Sequence, residues 1–439
     1  MLFVRSITPQ PPRGRFRSLH KVGAAASKFC VFACTITLAL ETGHMRGPAH
    51  PVARLAYGFT AGTRAIAQLM KSSCKVPVVA FCLFAILAPT GCGGSILPLA
   101  NPGSTATAAE SYAQQAASGI QTLQQWYLQD SGIYASPSGW WNSANSITVL
   151  ANYERVSGDT TYYPVIANTF AAAQGQHTNF VNMYYDDDGW WALAWIDAYD
   201  VTGNQAYLSM AETIFSAITG AWDSTCGGGV WWSTARTYKN AIPNELFLTI
   251  AARLANRTSG SASATYLNWA RQEWAWFKSS GMINSQNLIN DGLNSSNPNA
   301  CANNGGTTWS YNQGVILGGL VELYHADNDP SLLPQAEAIA NSTIANLAKN
   351  GILIDPGTIS GGDEPQFKGV FLRNLMALYV ADADPRYQAF ADANAKSIVA
   401  NDQGPNCEFG ALWQGSFDSA DATRQTSALD ALIAAAAMQ

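Results

Sequence analysis

Repeated helical hairpins are the feature that most constrains the fold of this chain. From about residue 104 onward, apolar residues recur at the three- and four-residue spacing of amphipathic helices, and few stretches alternate as strands do. Short polar turns with a Gly, Asp or Pro at the helix boundary join consecutive helices, as at 157–159, 202–204 and 382–385. We predict twelve helices, at 104–130, 141–156, 160–175, 188–201, 205–220, 240–256, 263–278, 309–326, 331–347, 365–381, 386–400 and 421–438.

The spacing of these turns favours a closed ring. The turns recur roughly every 45 to 66 residues, so longer loops must separate some hairpins. An open α-solenoid would normally have a more regular period, whereas six hairpins can close on themselves and leave no exposed end. We therefore expect an all-α fold, an (α/α)6 toroid, with tight turns on one side and variable loops on the other.

Charge and tryptophan divide the chain near residue 92. The first 92 residues contain 11 of the 24 Lys and Arg residues and a single acidic one, Glu41. The remainder has 13 basic residues against 29 acidic ones and contains all 14 Trp. Because nucleic-acid phosphates attract basic surfaces, this acidic body argues against a nucleic-acid partner. Aromatic faces suit a neutral or cationic ligand.

The N-terminal region resembles targeting material. Met70 is followed by two lysines, an apolar run at 76–88 and small residues around Cys92, which is the plan of a signal peptide. We expect 1–69 to derive from an overlong gene start, and Cys92 to be either an acylation site or part of simple secretion. Residues 93–109 would be a flexible linker before a catalytic domain at 110–439. The product would be secreted, or anchored by lipid at the cell surface.

Three cysteines remain in the body, Cys226, Cys301 and Cys407. Outside the cell two of them could pair and leave one over, and the sequence does not say which two. Three buried thiols are an equal alternative.

Several kinds of catalysis are excluded by the residues that are missing. The body has two histidines, His177 and His325, and no His or Cys at the spacing of metal ligands. It lacks a nucleophile elbow, a Walker-type phosphate loop and a dinucleotide fingerprint. We therefore expect no metal and no organic cofactor, and no feature implies a protein partner; a monomer is the default. Carboxylates and aromatics remain, the groups used in glycoside hydrolysis.

The densest carboxylate cluster is Tyr-Tyr-Asp-Asp-Asp-Gly-Trp-Trp at 184–191, just before a predicted helix. Asp188 is a candidate N-cap of that helix. Three adjacent charges repel one another, so crowding should raise the pKa of one carboxyl while the helix N-terminus keeps another ionised. A solvated helix start is the simpler interpretation, and a calcium loop is a third, although the usual spacing is absent. A second acidic pair, Asp363 and Glu364, is explained by a helix start.

The strings YYDDDGWWALAWIDAYDVTGN, GGGVWW, YKNAIPNELF, NLINDGL, NNGGTTWSYNQGVILGGL and FKGVFLRNL, in this order, resemble glycoside hydrolase family 76, the endo-α-1,6-mannanases. The resemblance covers about residue 109 to the C-terminus and implies an (α/α)6 toroid that cleaves α-1,6-linked mannose chains with retention. Carried over by motif, Asp186 would be the nucleophile and Asp187 the acid/base.

The resemblance implies an α-mannan polysaccharide or oligosaccharide as the ligand. Two alternatives stay open: a transglycosidase that remodels mannosyl glycans, and a non-catalytic mannan-binding surface lipoprotein. Residues expected at the substrate are the aromatic side chains of Tyr185, Trp190, Trp191, Trp231, Trp232, Trp309 and Tyr311 and the polar side chains of Asn240, Asn290, Asp291, Asn312 and Gln313.

Overall fold

The computed structural model describes residues 108–439 except 295, 296, 298, 299, 358, 360 and 361. The targeting region at 1–92 and most of the linker at 93–109 lie outside the described residues, so those expectations stay predictions. The described part contains twelve α-helices: α1 (Ala108–Leu123), α2 (Trp140–Ser157), α3 (Tyr163–Ala172), α4 (Tyr185–Thr202), α5 (Gln205–Thr219), α6 (Ala241–Arg257), α7 (Gly260–Ser279), α8 (Ser310–Asp327), α9 (Leu332–Asn346), α10 (Glu364–Ala381), α11 (Pro385–Asn401) and α12 (Ala422–Ala437).

The helices form a closed double ring. The even-numbered helices pack against one another in sequence, and α12 packs against α2, which closes the inner ring. The odd-numbered helices α1, α5, α7, α9 and α11 each pack against an inner helix. Inner helices are covered on both sides, so residues Asp188 to Ala198 of α4 are all buried. The expected all-α (α/α)6 toroid is confirmed, and an open solenoid is wrong because the two ends meet.

Short connections and long loops lie at opposite faces of the ring. Each even helix turns tightly into the next odd helix, and Gly158 and Gly203 end α2 and α4 in the left-handed conformation, with φ of 73° and 68°. Asn204 and Asp384 then cap α5 and α11 through their side chains. Every long loop leads into the N-terminus of an inner helix. The loops therefore collect on one face, as the turn pattern predicts.

A repeated hydrogen bond attaches the long loops to the inner ring. In five of the six inner helices, the fourth helical residue is polar and accepts a backbone N–H from the loop that precedes the helix. The acceptor–donor pairs are Ser143 with Tyr134, Asp188 with Asn182, Asn244 with Val230, Gln313 with Ile289, and Gln425 with Phe409, at 2.7 to 3.1 Å. We call this contact the loop brace. Because the loop brace recurs through the ring, its primary role is structural.

Among the predicted helix boundaries that differ from the structure, two are informative. The first helix ends at Leu123 instead of 130, because residues after a short 3-10 turn pair as a small antiparallel hairpin, β1 (Tyr127–Leu128) with β2 (Ile133–Tyr134). A similar pair, β3 (Ala348–Lys349) with β4 (Ile352–Leu353), follows α9. Helix α4 begins at Tyr185 rather than at residue 188, so the three aspartates lie inside its first turn.

A disulfide joins two of the long loops. Cys226 in the loop before α6 is bonded to Cys301 in the loop before α8. Such a crosslink restricts the unfolded chain and holds the two loops together in the folded one. No helix within the described ranges is long and apolar enough to span a lipid bilayer.

Candidate active site

A cavity of about 260 Å³ opens at the loop-bearing face, where the inner helices begin. Its walls come from α2, α4, α8 and α10 and from the loops before α6, α8 and α10. The lining residues are Trp141, Asp186, Trp190, Trp232, Tyr238, Asn240, Asp291, Tyr311, Asp363 and Phe367. The lining residues include three carboxylates and neither lysine nor arginine.

Asp186 is the lining carboxylate that comes from the first turn of α4. Its Oδ2 accepts a hydrogen bond from the indole N–H of Trp232 at 2.9 Å, while its Oδ1 is buried without a hydrogen-bond partner. Burial raises the pKa of Asp186 well above its usual value, and the neighbouring Asp187 raises it further. One carboxylate oxygen of Asp186 is therefore buried without a hydrogen-bond partner, at a residue that lines the cavity.

Asp187 is held by a different loop. Its Oδ2 accepts a hydrogen bond from the side-chain amide of Asn182 at 2.7 Å. Burial raises the pKa of Asp187, the Asn182 amide opposes this rise, and Asp363 from across the cavity adds to it. Two adjacent carboxyl groups with raised pKa values share one proton over a range above that of ordinary carboxyls, which supplies an acid and a carboxylate at the same time.

Asp188 does not cap α4, which corrects the expectation from the sequence. The helix already begins at Tyr185, and Asp188 is its fourth residue, with none of its surface exposed. Its Oδ1 accepts the backbone N–H of Asn182 at 2.8 Å as one of the loop braces. The third aspartate of the cluster thus supports the loop that holds Asp187.

Aromatic rings form two sides of the cavity. On one side Trp141 stacks on Trp190, with 5.5 Å between ring centroids, and Tyr311 stacks on Phe367 at 4.1 Å. On the other side Trp232 lies against Tyr184 at 5.0 Å. Flat apolar faces next to carboxylates are the surfaces that bind pyranose rings.

The remaining wall is polar and comes from the two loops joined by the disulfide. The Tyr238 hydroxyl donates to Oδ2 of Asp291 at 2.6 Å and accepts from the side-chain amide of Asn304 at 2.9 Å. Burial raises the pKa of Asp291. Asn240 also lines the cavity, and its side-chain oxygen is buried without a partner, so it is free to accept a hydrogen bond from a hydroxyl group.

Lys239 explains why two of the sequence motifs occur together. Its ammonium group is buried and donates to Asp223 at 2.9 Å and to the backbone carbonyls of Thr225, Gly228 and Gly229 at 2.7 to 2.9 Å. At Gly229 a Cβ would lie 2.3 Å from the Trp276 ring, so only glycine fits there. The lysine of YKNAIPNELF therefore fixes the backbone of Gly228 and Gly229. These glycines belong to the GGGVWW motif, which we call the glycine loop and which also contains Trp232.

Six of the expected site residues line the cavity: Asp186, Trp190, Trp232, Asn240, Asp291 and Tyr311. Trp191, Trp231 and Gln313 are corrections, because each is buried and occupied elsewhere. Trp191 stacks in the core against Trp195, with 5.6 Å between ring centroids. Trp231 donates its indole N–H to Asp223, and Gln313 is the loop brace of α8.

Five other expected residues are near the cavity without lining it. One is Asp187, the predicted acid/base, which is next to Asp186 in the first turn of α4. Asn290 is engaged with Asn284, Asn303 and the carbonyl of Gly306, so it shapes its own loop. Asn312 is buried close enough to Asp291 to lower the pKa of that carboxyl. Trp309 contacts Phe367 edge-on at 5.4 Å, and Tyr185 is half-buried at the start of α4. For these residues a role in binding stays a prediction.

Sequence reasoning missed five site residues: Trp141, Asn182, Tyr238, Asp363 and Phe367. Trp141, Asp186 and Tyr311 all stand at the second position of an inner helix, and all three line the cavity. The predicted helix starts could not show this register, because they place Trp141, Asp186 and Tyr311 at different positions relative to the start of each helix. Asp363 directly precedes α10, yet its side chain caps nothing and instead accepts the indole N–H of Trp141 at 2.8 Å.

A second cavity, of about 220 Å³, lies inside the ring toward the C-terminal halves of the inner helices. It contains a network in which Arg253 contacts Asp197 at 2.6 Å and Asp200 at 3.0 Å, and Arg257 contacts Asp200 at 2.7 Å. These charges satisfy one another, in contrast with the unpaired carboxylates of the first cavity. Trp190 lines both cavities and separates them.

Two neighbouring carboxyl groups, one of which lines a cavity with aromatic walls, are the groups expected of a glycoside hydrolase. The family model for glycosyl hydrolase family 76 matches residues 104–439. The chain therefore belongs to glycosyl hydrolase family 76.

Similar proteins include two from Candida albicans. The chain is 26% identical to its mannan endo-1,6-alpha-mannosidase DCW1, over 58% of this chain and 62% of that protein, and 26% identical to its DFG5, over 69% and 73%. The chain thus spans slightly less than two thirds of that DCW1 protein.

Among solved structures, an inactive variant of the α-1,6-mannanase GH76A of Salegentibacter sp. HEL1_6 in complex with α-1,6-mannotriose has a TM-score of 0.67 and 21% identity, covering 75% of this chain and 100% of that one. Dfg5 from Chaetomium thermophilum in complex with glucosamine has a TM-score of 0.67 and 21% identity, covering 75% and 90%.

Adjacent tryptophans allow a matched test of the Asp186 contact. Replacing Trp232 by phenylalanine keeps an aromatic face but removes the indole N–H bonded to Asp186, so we expect kcat to fall about 10-fold with little loss of stability. Replacing Trp231 by phenylalanine removes a bond to Asp223 instead and should lower the melting temperature more than it lowers kcat. Turnover assays and thermal unfolding of both variants would check this; equal kcat values in the two would contradict it.

Uncompensated burial of Asp186 should cost stability at neutral pH. Because the folded-state pKa of Asp186 is raised above its unfolded value, folding is favoured when the group is protonated, and stability falls as pH rises from the unfolded pKa toward the folded one. We expect Asp186→Asn to raise the melting temperature at pH 7 and to have little effect at pH 4. Asp130→Asn, at an exposed position, is the control. A gain of equal size at both pH values would mean that ionisation is not the cause.

Proposed function

We propose that this protein is a secreted or surface-anchored enzyme that cleaves α-1,6-mannosidic bonds in mannan backbones with retention of configuration. The observation that carries the proposal is the Asp186–Asp187 pair in the first turn of α4, in which Asp186 lines a cavity with stacked aromatic walls. Membership of family 76 supports the substrate class, because the relatives found are named mannan endo-1,6-alpha-mannosidases.

In the proposed reaction the two carboxyl groups have different tasks. Asp187 protonates the departing glycosidic oxygen, and Asp186 attacks the anomeric carbon to give a covalent mannosyl-enzyme. Asp187 then takes a proton from water, which releases the sugar with net retention. The aromatic walls hold the pyranose rings, and Asn240 and Asp291 supply hydrogen-bond acceptors for hydroxyl groups.

Substrate must shift the shared proton within the pair. In the unliganded protein Asp186 is buried more deeply than Asp187, which favours a proton on Asp186. The reaction needs Asp186 ionised and the proton on Asp187. An anomeric carbon that develops positive charge beside Asp186 stabilises its carboxylate, and the glycosidic oxygen beside Asp187 accepts the proton, so both contacts favour the productive arrangement.

Export from the cytoplasm is part of the proposal. It is supported by the apolar run at 76–88 behind Lys71 and Lys75 and by the Cys226–Cys301 disulfide, since such bonds persist mainly in oxidising compartments. Acylation at Cys92 would anchor the enzyme at the surface. Mass spectrometry of the mature protein would decide between a free N-terminus and a lipidated cysteine.

The test of the activity is digestion of linear α-1,6-mannan and of a branched mannan, with the products resolved by size. Short α-1,6-manno-oligosaccharides that are absent from the Asp187→Ala reaction would support the proposal. Adding an acceptor oligosaccharide separates hydrolysis from transfer, because a transglycosidase would form longer products. Binding of mannan without turnover by the parent protein would instead indicate a carbohydrate-binding surface protein.

A further inference from the structure

In the loop before α4, both polar atoms of the Asn182 side-chain amide form hydrogen bonds. The side-chain oxygen of Asn182 accepts the backbone N–H of Tyr184 at 2.6 Å. Its side-chain nitrogen donates to Oδ2 of Asp187 at 2.7 Å. Because the Tyr184 N–H can only donate, the amide cannot be flipped without placing two donors against each other. The orientation of the Asn182 side chain is therefore determined by its neighbours.

This loop is in turn fixed to the inner ring. The backbone N–H of Asn182 donates to Oδ1 of Asp188 at 2.8 Å, and Asp188 is fully buried at the fourth position of α4. The same brace occurs at Ser143, Asn244, Gln313 and Gln425 in other inner helices. In α4 alone, the described braces place a side-chain donor on a carboxyl group of the Asp186–Asp187 pair.

We propose that Asn182 is a positioning residue that reserves Oδ2 of Asp187 for a hydrogen bond and so confines the acidic proton of Asp187 to Oδ1, with Asp188 as its brace. The inference rests on the proposed function, because it assigns Asp187 as the acid. An oxygen that already accepts an N–H donor is the less favourable site for the proton, because a carboxylic hydroxyl oxygen is a weaker hydrogen-bond acceptor than the carbonyl oxygen. A proton delivered from one fixed oxygen meets the glycosidic oxygen in one geometry.

Asn182 also works against the groups that keep Asp187 protonated. The charges facing Asp187 are Asp186 and Asp188 from its own helix and Asp363 from the segment before α10. All three are acidic, and with burial they favour the protonated form, whereas an amide donor favours the ionised form. Removing the amide therefore raises the pKa of Asp187. The alkaline limb of the pH profile, which reports loss of the acidic proton, should move to higher pH.

The experiment is the pH dependence of kcat/KM on an α-1,6-manno-oligosaccharide for matched variants of the whole protein. We expect Asn182→Ala to move the alkaline limb upward by about one pH unit and to lower the maximal rate about 10- to 100-fold. Asp188→Asn retains an acceptor for the Asn182 N–H, so the alkaline limb of its pH profile should not move to higher pH. Asp188→Ala removes the brace and should resemble Asn182→Ala.

Ser143→Ala is the structural control, because it removes the same kind of brace from a loop that contributes no cavity residue. It should lower the melting temperature without moving the limb. A lower rate in Asn182→Ala at every pH, with the limb in place, would overturn the positioning role while leaving the proposed function intact. No hydrolysis by the parent protein would instead remove the function on which the inference rests.

Discussion

Replacing Asp187 by alanine is expected to lower the rate of α-1,6-mannan hydrolysis about 10³-fold, and Asp186→Ala at least as much. Neither change should unfold the protein, because Asp186 lines the cavity, Asp187 is beside it, and the ionised forms of both carboxyl groups are costly to bury. Circular dichroism and thermal unfolding would confirm the fold, and product analysis would measure turnover. Near-normal turnover in either variant would remove that residue from the mechanism.

The roles of the two carboxyl groups can be separated with azide and an aryl α-1,6-mannobioside. The aryl leaving group needs no proton, so Asp187→Ala should still form the mannosyl-enzyme, and azide should release the retained α-azide. In Asp186→Ala azide should attack the substrate directly and give the inverted β-azide. Exchange of these two products between the variants would mean that Asp186 is the acid and Asp187 the nucleophile, the order that burial favours in the unliganded protein.

Replacing Lys239 by methionine is expected to destabilise the protein by about 2–4 kcal/mol. Methionine fills the same space but leaves three backbone carbonyls and the carboxylate of Asp223 without their shared donor. Activity should fall as well, because the glycine loop that carries Trp232 is no longer fixed. Urea unfolding with an activity assay on the folded fraction measures both effects.

Lys278→Met is the matched control, since this lysine is exposed near the end of α7 and should change stability by less than about 0.5 kcal/mol. A small effect of Lys239→Met would show that water replaces the ammonium group at the carbonyls.

The sequence predicts the ring well because its signals are local. Glycines that end helices and residues that cap them act within a few positions, so the hairpins and their turns could be recognised from short patterns such as 202–204. Ring closure followed from the number of hairpins. The start of α4 was placed three residues late, because a buried acidic first turn resembles a solvated helix start.

The cavity was only partly predictable, because adjacent residues of one helix or one loop point to different surroundings. Trp190 faces the cavity whereas Trp191 faces the core, and Trp232 reaches Asp186 whereas Trp231 reaches Asp223. Both members of each pair look alike in the sequence. Asp363 lies 177 positions from Asp186, and only the closed ring brings it to the same cavity.

The short turns and the long loops lie on opposite faces of the ring, and this affects which parts of the sequence can change during evolution. The turns on one face hold the ring together, and an insertion into the two-residue connection between α4 and α5 would disturb helix packing directly. The loops on the other face enter helices whose ends are already braced, and lengthening a surface loop costs little chain entropy. Substrate range can therefore diversify by exchanging loops while the scaffold is inherited unchanged, so transplanting the 280–309 loop between family members is a practical route to altered mannan preference.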